Sequence, residues 1–300
     1  MSEILTRNPR TDEVPLLKNL WSFVFGDIGI DAFFRLFFKP ELCLVVEQNS
    51  SLAAMGYLIP SGDIKTVSNA AENEKFIKCA MIYSVGTLPE YRSIGLGTII
   101  VNNLITLAGK SGYDAVVLCP SEDRLFEYYI NRTKLRDWFY VNERLFSNLT
   151  AGNLSLIPVE ISIDEYIAFR EKLLSEVVHM RLDEHLFQYQ LDLCKEFGGG
   201  LYRIGNSCAV IERQSGGNIW IKELLMPDTG KSIPNGNLDD ADINKFLSSI
   251  AHIFPADEYL VRTPVKSGSG RRFGMLNLCG RVQKISADND FAPWYGVAFD

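Results

Sequence analysis

The stretch that decides the fold of the first half is M-I-Y-S-V-G-T-L-P-E-Y-R-S-I-G-L-G-T, residues 81–98. An apolar strand run ends in a turn that carries Arg92, Gly95 and Gly97, and the apolar pattern I-I-V-N-N-L-I-T-L-A follows directly. A helix start exposes backbone N–H groups that lack intrahelical partners, and the peptide dipoles make that end positive. Glycines let an anion reach the backbone, and Arg92 adds a cationic donor. The turn therefore predicts a pyrophosphate site.

Two familiar phosphate loops do not fit this turn. The Walker pattern requires Lys after its last Gly, where Thr98 stands, and the dinucleotide pattern requires a third Gly where Ile100 stands. The alternative without a ligand is a glycine-rich turn that only lets the helix pack closely on the strand.

The elements around this turn form an α/β order. Apolar spacing predicts two helices at residues 12–25 and 30–38, a hairpin of 42–47 with 52–59, a strand at 76–85, a helix at 99–108 and a buried strand at 115–119. Strand, helix, strand is a βαβ unit. We therefore expect an α/β (α+β) fold with a mixed central sheet flanked by helices.

The second half repeats this order. A chain of 300 residues exceeds the usual size of one core, which predicts two domains of about 150 residues. The polar turn A-G-N-L-S at 151–155 gives a boundary between residues 1–150 and 151–300. Two helices, a hairpin, a strand, a helix and a strand are again predicted, at 163–174, 182–197, 201–213, 219–226, 243–253 and 259–263. Two unrelated α/β domains are the alternative.

Composition narrows the class of protein. The formal net charge of −7 and the pI near 5.2 disfavour nucleic acid and mildly favour a cationic small molecule. No long uncharged apolar run and no basic-then-apolar leader pattern is present, which predicts a cytoplasmic protein without a membrane segment. The six cysteines and three histidines lack metal-ligand spacing, so no metal is expected. The oligomeric state is left open.

The turn also resembles a family signature. The stretch V-G-T-L-P-E-Y-R-S-I-G-L-G-T is similar to the signature of the GNAT N-acetyltransferase superfamily, which has Arg or Gln, two residues, Gly, one residue, then Gly or Ala. Arg92, Gly95 and Gly97 match it. The similarity covers the first half, and the second half lacks this pattern. The tandem order resembles the Eis-type acetyltransferases, without the sterol-carrier-like domain found there.

The resemblance implies a fold of tandem GNAT-like units and the cosubstrate acetyl-CoA. It implies that the backbone of Val85, Gly86 and Thr87 binds the pantetheine arm. It further implies that the turn holds the pyrophosphate through Arg92, Ser93, Ile94, Gly95, Leu96 and Gly97. Ser121 and Glu122, after the next strand, are implied to lie near the coenzyme. The second half is then a degenerate GNAT-like domain that binds no coenzyme.

The resemblance also suggests a general acid. In L-F-E-Y-Y-I-N-R-T-K-L, Tyr129 stands where the superfamily often carries the acid that protonates the leaving thiolate. The usual Gly-Phe that follows is replaced around Thr133 to Leu135, which leaves the register open by one residue and makes Tyr128 the second candidate. A core aromatic residue is the structural alternative for either tyrosine.

The general base is not decided by the sequence. Carboxylates stand in suitable segments at Glu41, Glu47, Glu90, Glu122 and Asp123. Asp300 follows the apolar segment D-F-A-P-W-Y-G-V-A-F, which we expect to be a buried strand. The Eis-type enzymes and the N-myristoyltransferases use a C-terminal carboxylate as base, so the resemblance makes the Asp300 carboxylate a further candidate.

These features predict an N-acetyltransferase that moves an acetyl group from acetyl-CoA to a primary amine by direct attack in a ternary complex. The acceptor is a small-molecule or peptide amine that the sequence does not name. Two alternatives stay open at this point. One is a non-catalytic acyl-CoA sensor or scaffold, and the other is an acyltransferase for a longer acyl chain.

Overall fold

The computed structural model describes residues 4–66, 76–147, 149, 156–214, 216–227, 240–280, 282–285 and 290–297. The strands are β1 Ile4–Arg7, β2 Cys43–Gln48, β3 Ser51–Lys65, β4 Phe76–Thr87, β5 Ala115–Leu118, β6 Arg136–Ser147, β7 Pro158–Glu160, β8 His179–Arg181, β9 Gly200–Ile204, β10 Ser207–Arg213, β11 Ile219–Leu225, β12 Glu258–Thr263 and β13 Arg271–Leu278. The helices are α1 Val14–Phe25, α2 Ile30–Leu36, α3 Leu96–Lys110, α4 Asp123–Arg132, α5 Ile163–Leu173, α6 Glu184–Glu196 and α7 Asp240–Ile250.

The described residues fall into two compact units with interleaved segments. The first unit is built from the described parts of Met1–Asp63, Phe76–Trp138 and Gly274–Ile285, and the second from those of Ile64–Lys75, Phe139–Phe273 and Ser286–Asp300. Most of β6 thus belongs to the second unit, and most of β13 belongs to the first. The assignment of coenzyme binding to residues 1–150 and of a degenerate domain to residues 151–300 stays a prediction.

The sheet of the first unit follows the order β1-β2-β3-β4-β5-β13. β2 pairs antiparallel with β1 and β3, and β5 pairs antiparallel with β13. β4 and β5 run parallel, but only Cys79–Met81 pairs with Ala115–Val117. β4 continues to Thr87 beyond this pairing. The two strands therefore part at their carboxyl ends.

One core of the first unit lies between this sheet and α3. Ile100, Val101, Leu104 and Ala108 recur at helical spacing and are fully buried. They pack with Phe126 and Tyr129 of α4 and with sheet residues such as Met275. The helix ends at Lys110, and Gly112 then turns the chain with a φ of +83°. This packing fixes the start of α3 next to the end of β4.

The second unit has its own sheet, in the order β6-β12-β11-β10-β9-β7. Its core joins the sheet to α7 through apolar residues that include Ile243, Phe246, Leu247 and Ile250. Helix α5 begins with a capping box, in which the Ser162 hydroxyl accepts from the backbone N–H of Glu165. This unit is therefore a mixed sheet with helices of its own, as the element order predicts.

The expected fold class is confirmed, because each unit is a mixed sheet flanked by helices. One expected element is wrong. Residues 290–297 form isolated bridges rather than a strand, although Ala292, Trp294, Tyr295 and Val297 are buried as expected. The segment makes its hydrogen bonds mainly to side chains and loops. A hydrophobic sequence pattern indicates that a segment is buried, but it does not indicate whether the segment pairs in a sheet. No helix among the described residues is long and apolar enough to cross a membrane.

Candidate active site

The turn before α3 presents backbone N–H groups that no side chain caps. Gly95 precedes the helix in the left-handed conformation, with a φ of +91°, and no side-chain hydrogen bond caps the helix start. The first turn contains no acidic residue. The first amides of a helix lack intrahelical acceptors, and that end of the helix is positive. The uncapped start of α3 is therefore compatible with the predicted phosphate site, which stays a prediction.

Arg92 fixes the turn to the end of β4. Its Nε donates to the Thr87 carbonyl oxygen at 3.0 Å, while the side chain as a whole is exposed. Ser93 has a φ of +68°, and Ile94 is 51% exposed. A left-handed backbone at serine costs conformational energy, and an exposed isoleucine gains no burial. The conformation of this turn is therefore not explained by its own side-chain packing.

The two glycines leave open space in front of the helix. A methyl group at Gly95 would meet no atom within 4 Å, and one at Gly97 would meet only the Tyr128 hydroxyl oxygen, at 3.8 Å. Packing of the helix on the sheet therefore does not require either glycine. The alternative explanation of the turn, close helix–strand packing, does not apply to these two positions.

The carboxyl end of β4 carries the residues expected to bind the pantetheine arm. Val85 and Thr87 are half-buried and Gly86 is buried. Ser84 has a φ of +48°, which is uncommon for a residue other than glycine. It lies three residues after Met81, the last residue of β4 that pairs with β5. A left-handed residue interrupts the regular strand geometry at this point, beyond the part of β4 that pairs with β5.

Phe25 packs on this part of β4. A methyl group at Gly86 would lie 3.2 Å from Phe25 Cε2 and 3.4 Å from Val24 Cγ1. The Phe25 side chain stays 48% exposed and meets the Trp21 ring edge-on at 5.9 Å between centroids. An aromatic surface therefore lies beside the strand that is expected to hold the thioester.

Ser121 and Glu122 precede α4 at the carboxyl end of β5. Both are exposed, and Glu122 is the N-cap residue of α4 with extended backbone. Its carboxylate pairs with Arg124 Nε at 2.5 Å. Helices α3 and α4 both begin at this edge of the first unit's sheet, so the structure brings Ser121 and Glu122 to the edge that carries Arg92 and Gly97.

The two candidate acids have different surroundings. Tyr129 is 8% exposed and belongs to the core of the first unit, and burial raises the pKa of its hydroxyl to about 12. The Tyr128 hydroxyl shares a hydrogen bond of 2.7 Å with Thr98 Oγ1, and Arg132 lies over the Tyr128 ring. The tyrosine rings meet edge-on with centroids 5.2 Å apart. Both tyrosines thus lie near the start of α3.

The candidate bases are dispersed. Glu47 forms an ion pair with Arg7, which also binds the buried Glu13 carboxylate at 2.7 Å. Glu41, Glu90 and Asp123 are exposed. Asp300 lies outside the described residues. Within the described part of the chain, no group of three or more His, Cys, Asp and Glu residues is placed to hold a metal ion.

Three residues of this site escaped sequence reasoning. Thr98 contacts Tyr128, Phe25 covers Gly86, and Ser84 bends β4. The i,i+4 spacing of Trp21 and Phe25 on an apolar helix was a usable signal for Phe25. Neither Ser84 nor Thr98 carries a local signal, because a left-handed serine and an inter-helix hydrogen bond depend on the tertiary structure.

Comparison with known proteins identifies a family model for part of the chain. Residues 13–128 match the model of the acetyltransferase (GNAT) family. None of the curated protein sequences compared with the chain matches it significantly.

Similar solved structures cover both units. A GCN5-related N-acetyltransferase from Anabaena variabilis has a TM-score of 0.64 at 14% identity, over 93% of this chain and 73% of that one. Eis1 from Mycobacterium abscessus has a TM-score of 0.58 at 10% identity, over 92% and 74%. A putative acetyltransferase from Pyrococcus horikoshii has a TM-score of 0.56 at 14% identity, over 96% and 92%. These likenesses show the shared fold. Residues 13–128 are thus similar to the GNAT acetyltransferase family, and the described residues share the fold of these solved structures.

Proposed function

We propose that the first unit transfers an acetyl group from acetyl-CoA to a primary amine. The observation that supports this most strongly is the uncapped start of α3, with its amides, Arg92 and the open space at Gly95 and Gly97. A pyrophosphate fits such a site because it is a dianion with several acceptor oxygens. The end of β4 then lies in line to receive the rest of the coenzyme.

The reaction in this proposal is a direct attack in a ternary complex. The unprotonated amine nitrogen attacks the thioester carbonyl carbon, and the carbonyl oxygen gains negative charge. A backbone N–H near Val85 stabilises that oxyanion in this proposal, because the pairing of β4 with β5 ends at Met81, before this part of the strand. The nitrogen loses a proton to the general base, the tetrahedral intermediate collapses to the amide, and the thiolate of coenzyme A leaves and takes a proton from the acid.

The proposed acid is Tyr129, with Tyr128 as the second candidate. The raised pKa of about 12 keeps the Tyr129 hydroxyl protonated at neutral pH, as a donor to the leaving thiolate must be. Tyr128 already shares its hydroxyl with Thr98, so donating to a thiolate would compete with that hydrogen bond. Asp300 and the solvated carboxylates remain proposed bases, and the acceptor amine is a small molecule or a peptide.

Calorimetry and a thiol-release assay test this function. Acetyl-CoA is titrated into the protein, and released thiol is then measured against a panel of primary amines, including polyamines, aminoglycosides and lysine peptides. The proposal expects micromolar binding, roughly −8 kcal/mol, and amine-dependent thiol release. Release that is faster with long acyl chains than with acetyl would favour a long-chain acyltransferase. The absence of binding to any coenzyme A thioester would contradict the proposal.

A further inference from the structure

The second unit contains a parallel strand pair that parts in the same way as β4 and β5. Pairing of β11 with β12 covers only Ile219–Ile221 and Tyr259–Val261. β11 then continues to Leu225 with a register shift against β10, and β12 continues to Thr263. In the first unit, the corresponding pair parts after Met81 and Val117, before the strand end that we propose for coenzyme.

Two buried ion pairs lie where β11 and β12 part. Glu223 is two residues beyond the last paired position of β11, is fully buried, and binds Arg170 Nε at 3.0 Å. Arg262 is one residue beyond the last paired position of β12, is also fully buried, and binds Glu143 at 2.8 Å. Removing charged groups from water is costly, so buried pairs of this kind need further hydrogen-bond partners.

Residues 290–297, which we call the inner segment, supply those partners. Trp294 Nε1 donates to Glu223 Oε1 at 2.7 Å. Arg170 donates to the Tyr295 carbonyl oxygen at 3.0 Å, and Arg262 donates to the Gly296 carbonyl oxygen at 3.3 Å. Two cationic side chains thus bind consecutive carbonyl groups of the inner segment.

The fit of the inner segment at this place is tight. Gly296 has a φ of +82°, and a methyl group there would overlap Glu223 Oε1 and lie 2.8 Å from Trp294 Nε1. The backbone of the segment is also held, since Met180 N–H donates to the Trp294 carbonyl and Trp294 N–H donates to the Val178 carbonyl, both at 2.8 Å. This is the contact pattern of a bound extended peptide.

We propose that the inner segment is an internal ligand of the second unit. It is bound at the parting point of β11 and β12 through Glu223, Arg170 and Arg262. The inner segment thus occupies the place where β11 and β12 separate, and only the first unit binds coenzyme. The expected number of coenzyme A molecules bound per chain rests on the proposed function. The binding of the inner segment to Glu223, Arg170 and Arg262, which we call its seating, does not.

Hydrogen exchange on the unliganded full chain tests the seating. Gly296→Ala is compared with Gly268→Ala, because Gly268 has nearly the same φ, +81°, and no atom within 4 Å of an added methyl group. Both variants carry the left-handed strain, and only the first collides with Glu223. We expect the Trp294 and Met180 amides to exchange roughly tenfold faster or more in Gly296→Ala than in Gly268→Ala. Equal exchange in the two variants would overturn the proposal.

Two further measurements keep the test decisive if Gly296→Ala does not fold. Trp294→Phe removes the Nε1 donor to Glu223 together with part of the buried ring, and we expect faster exchange of the Met180 amide in that variant than in the wild type. Unprotected Trp294 and Met180 amides in the wild type would overturn the seating outright. Calorimetry of the wild type should give one coenzyme A per chain. Two per chain would refute the closure of the second unit, and no binding would refute only the proposed function.

Discussion

At the scale of single residues, phenylalanine variants of the two adjacent tyrosines of α4 distinguish a catalytic role of the hydroxyl from a role of the ring in packing. Replacing Tyr129 by Phe keeps the buried ring and removes the hydroxyl, so we expect kcat to fall by about a hundredfold while the fold is retained. Tyr128→Phe is the matched variant, and its smaller expected effect reflects only the lost contact with Thr98. Steady-state kinetics measures both, and unchanged kcat in Tyr129→Phe would remove it from the mechanism.

The pH profile gives a second residue-scale prediction. Because burial raises the pKa of Tyr129 to about 12, its acid form persists throughout the neutral and mildly alkaline range. We therefore expect kcat with saturating amine to show no decline up to about pH 10, the ordinary tyrosine pKa. A loss of kcat with a midpoint well below 10 that Tyr129→Phe abolishes would contradict this assignment.

At the scale of elements, the contact of α3 with β3 depends on a glycine. A methyl group at Gly56 would overlap Ile100 Cγ2 and lie 3.1 Å from Leu104 Cδ1. Overpacking of this kind costs about 1–3 kcal/mol, so Gly56→Ala should lower the free energy of unfolding by that amount. Gly109→Ala in α3 is the control, since its nearest contact would be 3.7 Å, to Cys279 Cβ. Urea unfolding compares the two, and equal stability would show that the helix shifts freely on the sheet.

The start of the chain contains an ion-pair cluster with a predictable pH dependence. Arg7 and Arg10 hold the buried Glu13 carboxylate and lower its pKa to about 2. A lowered pKa in the folded state means that the stabilisation is complete above the unfolded value near 4.5 and is lost as pH falls toward 2. We expect Glu13→Gln to be less stable than the wild type at pH 6, and this difference to shrink at pH 2.5. A difference independent of pH would contradict this account.

At the scale of the whole molecule, local pattern predicted the repeated α/β order but not the interleaving of segments. The 3.6-residue spacing marked α3, and the glycines marked its turn. No local sequence pattern indicates that β13 belongs to the first unit, because β13 pairs with β5 across more than 150 residues of intervening chain. For the same reason, the buried pair of Arg170 and Glu223 appeared in the sequence only as two separate charged residues.

This interleaving predicts how a fragment behaves. A fragment of residues 1–150 lacks β13, whose residues Met275–Leu278 pair with β5 and whose Met275 is fully buried in the first unit's core. We expect that fragment to unfold without a cooperative transition. Adding a peptide of residues 271–285 should restore part of the transition seen by circular dichroism. A fragment that unfolds cooperatively without the peptide would contradict the assignment of β13 to the first unit.

The central claim is that bare amides at the start of α3 bind the pyrophosphate of coenzyme A, and calorimetry on two alanine variants tests it most directly. Gly97→Ala adds a methyl group where the protein has room but the anion must approach, and Gly109→Ala adds one to the far end of the same helix. We predict that Gly97→Ala weakens the binding of coenzyme A by roughly tenfold or more, or about 1.4 kcal/mol, while Gly109→Ala binds like the wild type. Wild-type affinity in Gly97→Ala would contradict the account.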